Sequence, residues 1–146
     1  IFYDDIDSVV SSFNQGNIDT DNDGQRDHPG LADAAWRDGI VRLLKSTRER
    51  APRSFMVIVN GSSWPAYQPW INGRLFEDFP TPWEGQGRWF DSMGSAQRIA
   101  AQVAKPITIV LNGTTKNTGR YDLKQARFVA TSALLVGALI VITDQA

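Results

Sequence analysis

The chain has 146 residues, enough for one domain with its own core, and it contains no cysteine. With 42 % hydrophobic residues, 21 % charged residues and a formal charge of −1, it has the balance of an ordinary globular protein. Absent thiols exclude disulfides, thiolate metal sites and cysteine nucleophiles, and scattered Lys and Arg lack the clustered basic face that a nucleic-acid partner requires.

In chain order, Ile1–Tyr3 reads as a short buried strand followed by Asp4, Asp5 and Asp7. Such strands are continuous Val/Ile/Leu/aromatic runs when a parallel sheet covers them on both sides. An acidic loop comes next, within an insertion at 17–30. Asp19, Asp21, Asp23, Gln25 and Asp27 alternate with other residues around Gly24. Oxygen ligands at alternate positions can wrap one hard cation, and a glycine permits the sharp turn. The expectation is a structural Ca2+ site with Asp19, Asp21 and Asp23 binding through side chains, Gln25 through its backbone carbonyl, and Asp27 directly or through water. Position twelve is Gly30 instead of a bidentate Glu, so the site is weak by EF-hand standards and closer in spacing to extracellular calcium repeats.

Leu31–Arg50 has a helical apolar stripe of Ala32, Ala35, Trp36, Ile40, Leu43 and Leu44, with Pro29 before it and Pro52 after it. Its basic residues Arg42, Lys45 and Arg48, with Arg50 and Arg53, read as a solvated face. Phe55–Val59 is the second strand, ending in Asn60-Gly61. Tyr67–Gly73 and Thr81–Gly87 read as loops at the strand ends. Arg74–Phe79 is a weaker strand containing Glu77 and Asp78. Trp89–Ala104 is a helix that buries Phe90, Met93, Ile99 and Val103. Ile107–Leu111 is a strand ending in Asn112-Gly113. Asp122–Leu135 is a helix with Leu123, Ala126, Phe128, Val129 and Leu134 available for burial, and Gly137 is its cap region. Ala138–Ile142 is the last strand, ending in Thr143-Asp144. Phe128–Ile142 falls short of the roughly 20 residues of a membrane span and is interrupted by Thr131, Ser132 and Gly137.

Strands alternating with helices predict an α/β fold with a parallel sheet, and polar residues close every strand. In such folds ligands bind at the carboxyl ends of the strands. Carboxylates on different strands, Asp4 or Asp5 with Glu77, are the minimum apparatus for glycoside cleavage. Trp83, after Pro82 in a loop, is the best placed indole for stacking on a sugar; Trp64 and Trp70 are even candidates.

The ordered set Ile1-Phe2-Tyr3-Asp4-Asp5-Ile6, Ala34-Ala35-Trp36-Arg37-Asp38-Gly39, Val57-Ile58-Val59-Asn60-Gly61, Asn72-Gly73-Arg74-Leu75-Phe76-Glu77-Asp78-Phe79-Pro80 and Arg127-Phe128 through Asp144 resembles glycoside hydrolases related to the α-galactosidase superfamily. That resemblance implies an incomplete (β/α)8 barrel, strands four to eight. It implies Asp4 as nucleophile at strand four, with Asp5 as the fallback, and Glu77 as acid/base at strand six. Asn60, Asn112 and Asp144 then position a carbohydrate substrate. Both chain ends look cut inside a fold, so the missing front half of the barrel, or a partner chain, is expected on the open edges. A millimolar-range calcium site points to a secreted or cell-surface protein of bacterial or archaeal type. The competing readings are a silent carbohydrate-binding or surface-assembly protein that keeps the barrel and the calcium loop, and a structural fragment of a larger assembly.

Overall fold

The computed structural model describes residues 1–114 and 122–143. Its strands are β1 (Phe2–Ile6), β2 (Ile58–Gly61), β3 (Gly73–Phe76), β4 (Thr108–Thr114) and β5 (Leu139–Thr143). They form one sheet in the order β1-β2-β3-β4-β5, and every neighbouring pair is parallel. The helices are α1 (Pro29–Arg50), α2 (Trp89–Gln102) and α3 (Leu123–Val136). The expected α/β class and parallel sheet are present. Among the described residues the sheet is open, with β1 and β5 as its edges. None of the described helices is long and apolar enough to cross a membrane.

Helix ends follow local chemistry. His28 caps α1 by accepting from the Gly30 amide, and Pro29 follows in the first turn. Asp122 caps α3 by accepting from the amides of Lys124 and Gln125, and Gly137 ends that helix in the left-handed conformation.

The helices cover one face of the sheet. Tyr3 reaches α1 through a 2.6 Å hydrogen bond to Thr47, and a Cβ on Gly113 would stand 2.7 Å from Val129 of α3. Register places Tyr3, Val59, Arg74 and Ile109 in one row on this side. Here lies the core, with Leu44, Val59, Phe76, Ile99, Leu111 and Val129 buried. Side chains alternate along a strand, so the intervening residues occupy the opposite face. On that face Ile58, Leu75 and Val110 are half-buried, and Phe2 and Leu139 are exposed.

Several expectations need correction. The apolar runs end at Tyr3, Val59 and Leu111, but the ladders continue through Asp4 to Ile6, Asn60-Gly61 and Asn112 to Thr114. Backbone pairing makes no demand for an apolar side chain, so hydropathy marks strand ends poorly. Phe55 and Met56 precede β2 and are exposed. Pro65–Trp70 is a 3-10 helix within the return from β2 to β3, not a loop gathered at the strand ends. A parallel pair requires such a crossover, and it carries Trp70 to the opposite end of the sheet, where its carbonyl accepts from Arg48.

Arg48 is accordingly not part of a solvated face. It also donates to the Phe55 carbonyl at 3.0 Å and to Asn72 Oδ1 at 2.5 Å. Buried Asn72 uses all its side-chain capacity, accepting in addition from the Val57 amide and donating to the carbonyls of Ala104 and Pro106. Phe90 is 81 % exposed and Leu134 82 % exposed, against the expected burial; Leu123, Leu43 and Ala35 are exposed as well. The sheet offers each helix only a narrow contact, so an apolar residue off that line stays outside.

Candidate functional site

Three of the sequence-derived residues meet on the open face. Asn60 Nδ2 donates to Asp4 Oδ1 at 3.0 Å and to Glu77 Oε2 at 3.1 Å. Asp4 comes from β1, Asn60 from β2, and Glu77 directly follows β3. The buried amide of the middle strand therefore holds one carboxylate on each side, and its own Oδ1 has no hydrogen-bond partner among the described residues. Asn112 lies on the same face two strands away from Asn60 and bonds with Thr143 across β4 and β5. Asp144 lies outside the described residues.

Asp5 does not share this arrangement. The β1–β2 register shifts between Tyr3 and Ile6, and Asp5 has φ +52°, in the left-handed region. At this bulge Asp4 reaches Asn60 and Asp5 does not, although both carboxylates are exposed. Gly61 completes the fit: at φ +133° any Cβ would stand 2.5 Å from the Ile6 backbone.

Trp83 lies in the loop between β3 and α2 and is exposed. It lines a cleft of 640 Å3 at the carboxyl ends of β1, β2 and β3, on the helix side of the sheet, with Asp7, Ser63, Trp64, Arg74 and Glu84. Sequence reasoning named Trp83 and Trp64 but missed Arg74, Glu84 and Ser63. Arg74 sits in β3, where a short apolar run suggests only a packed strand, yet its guanidinium is fully buried and pairs with Glu84 at 2.6 Å. It also bonds to Ser63, which donates to Glu84 at 2.8 Å. Burial pulls the Arg74 guanidinium below its ordinary value, and Glu84, then Asp7, oppose that pull. A charged residue inside an apolar run was the available signal, since such a charge must find a partner.

Burial raises the Asp7 carboxyl above its usual range, Asp5 adds to this, and Arg74 works against it. The Asp7 carbonyl accepts from the Trp36 indole and the Tyr67 hydroxyl, which fixes the turn after β1. Burial pushes the Tyr67 phenol up to about 12. Because the folded-state pKa of Asp7 is raised, its protonated form is the one folding favours. Its contribution to stability is present at low pH and is lost as pH rises through the folded value. Asp7→Asn should therefore melt higher than the parent at pH 7, with the advantage shrinking toward pH 3. A lower melting temperature at pH 7 would show that attraction to Arg74 outweighs burial.

In the acidic loop, Asp19, Asp21 and Asp23 each present a carboxylate oxygen within 4.8 Å of the others, so this exposed group could hold a metal ion. Gly24 turns the loop at φ +85° with open space around it. Asp19 accepts from the amides of Asn22, Asp23 and Gly24. Asp27 stands apart from the trio and accepts from the Thr20 amide and hydroxyl, bonds that lower its pKa. Gln25 donates from its amide to Asp23.

Comparison with protein-family models, with curated proteins and with solved structures gives no match for this chain.

Proposed function

We propose that the chain contributes the reacting pair of a glycoside hydrolase. The observation that carries this reading is the single Asn60 amide nitrogen bonded to both Asp4 and Glu77. By that shared donor the two bonded carboxylate oxygens are at most about 6 Å apart, below the roughly 6.5–9.5 Å of an inverting pair and within reach of the roughly 5–5.5 Å of a retaining pair. Asp4 attacks the anomeric carbon as the glycosidic bond breaks. Glu77 gives its proton to the departing oxygen, then takes one from the water that releases the sugar. Asn60 sets the spacing, and Asn112 positions substrate hydroxyls further along the strand ends, a role the resemblance also gives to Asp144. The first test is turnover of aryl glycosides by the purified protein, which Asp4→Asn should abolish. Full turnover in that variant would remove the pair from the chemistry.

The uncovered face supports a (β/α)8 barrel reading. Parallel sheets occur with both faces covered, and here the face opposite the helices carries apolar Phe2, Ile58, Leu75, Val110 and Leu139. Edge strand β5 is exposed along Leu139–Ile142. Further βα units of the same barrel, in the same protein or a partner chain, would turn this face into a barrel interior and cover both edges.

The Asp19–Asp21–Asp23 group suits Ca2+. Oxygens across one calcium ion lie up to about 5 Å apart, since each bond is about 2.3–2.6 Å, and the trio fits within that span. In this reading Asp27 and the Gln25 carbonyl supply the further oxygens that a calcium ion requires. A ligand bound only by the folded state raises its stability. Millimolar calcium should thus raise the melting temperature, and chelator, or Asp21→Asn, should cancel the rise. Identical melts with calcium and with chelator would sink the site. Calcium at that level favours a secreted or cell-surface setting.

A further inference from the structure

At the same strand ends as the reacting pair, on the helix side of the sheet, the cleft has a built polar floor that the two-carboxylate chemistry does not use. Asn60 leads through Gly61, Ser62 and Ser63 to Trp64, so four consecutive residues pass from the pair into the cleft wall. The floor is Arg74, Glu84 and Ser63, locked together by hydrogen bonds. A buried ion pair is weak evidence of a stability role, because apolar residues of equal volume often serve as well. Here the pair lines an open cleft of 640 Å3.

Lining charges define the ligand class. Asp7, Glu84 and Asp91 oppose Arg74 and Arg98. Arg98 bonds Ser95 at 2.7 Å, and Asp91 pairs with Arg88 at 2.6 Å. With no cationic surplus, an anion finds no net attraction. The walls are indoles: Trp64 is 39 % exposed and Trp83 57 % exposed. Arg37 stands 4.8 Å over the Trp64 ring, which steadies it through a cation–π contact. Flat apolar rings over a floor of fixed donors and acceptors match a pyranose, with C–H groups against the indoles and hydroxyls toward Ser63, Glu84 and Arg74.

We propose that this cleft is an accessory saccharide site that binds an uncharged sugar unit of the substrate chain outside the reacting pair. It deepens the glycoside hydrolase reading and rests on it for the identity of the substrate. Binding is measured on the full chain carrying Glu77→Gln, which slows turnover of an oligosaccharide by about 10^2 to 10^4-fold. The probes are cellohexaose, mannohexaose and maltohexaose, with a hexamer of galacturonic acid as the charged comparison, followed by the indole N–H signals in NMR. At least one neutral hexasaccharide should shift the Trp64 and Trp83 signals while leaving that of Trp89, whose N–H is held by Ser132. Trp83→Ala should weaken that binding by roughly tenfold or more, and Trp83→Phe should restore most of it. Unmoved Trp64 and Trp83 signals with every neutral probe, or tighter binding of the uronate, overturns the proposal. The two readings fail separately: hexasaccharide turnover left unchanged by Glu77→Gln removes the hydrolase mechanism while shifts at Trp64 and Trp83 still establish the cleft.

Discussion

Glu77→Gln should lower turnover of a substrate with a poor alcohol leaving group by about 10^2 to 10^4-fold, the usual weight of a general acid. On an aryl glycoside with an acidic phenol the loss should be far smaller, because that oxygen departs without a proton. Asp4→Asn should instead be severe with both leaving groups, since a covalent step needs the nucleophile whatever departs. This contrast separates the two roles. Glutamine preserves the size of Glu77 and leaves Asn60 its other bond to Asp4, so the cluster is not dismantled by the change. Initial rates of both variants on both substrates provide the check. Equal losses on the two leaving groups would remove Glu77 from proton transfer, and unchanged rates would remove it altogether.

Gly73→Ala should prevent stable folding. Gly73 starts β3, pairs with Ile58 of β2 and with Thr108 of β4, and is buried between them. A Cβ there would stand 1.5 Å from the Thr108 carbonyl oxygen and 2.4 Å from its carbon. No rotamer relieves a clash with backbone, so β3 and β4 must part at the first residue of their ladder. The cost should exceed about 4 kcal/mol, a large share of the roughly 5–15 kcal/mol that holds a domain together. Gly39→Ala is the matched control: it lies within α1 with nothing within 4 Å of the added carbon. It should gain roughly 0.5–1 kcal/mol from helix propensity. Urea titration followed by circular dichroism reads both. A Gly73→Ala midpoint close to that of the parent would show that the strands are less closely locked than their register implies.

Legibility differed by element for physical reasons. Helices α1, α2 and α3 were readable within two residues at each end, because the 3.6-residue period, prolines and the Gly137 cap are local signals. Strand starts and ends were less readable, as Phe55 and Asn60 show, because pairing depends on a neighbour distant in the chain. Asp4, Asn60 and Glu77 were recognisable as candidates from their places beside apolar runs. That one amide joins both carboxylates was not, nor was the displacement of Asp5, which depends on a bulge in β1.

By itself the sequence determined the alternation of strands and helices, the parallel sheet, and the kinds of side chain gathered at the strand ends, because each follows from periodicity and residue type along a short stretch. Only the tertiary structure decided which of those side chains meet. It brought Asp4, Asn60 and Glu77 together beside three strands, set Trp83 in a cleft on the helix side of the same strand ends, and buried Arg74 against Glu84. Contacts of this kind depend on strand register and on which face a residue occupies, and a shift of one residue reverses the face.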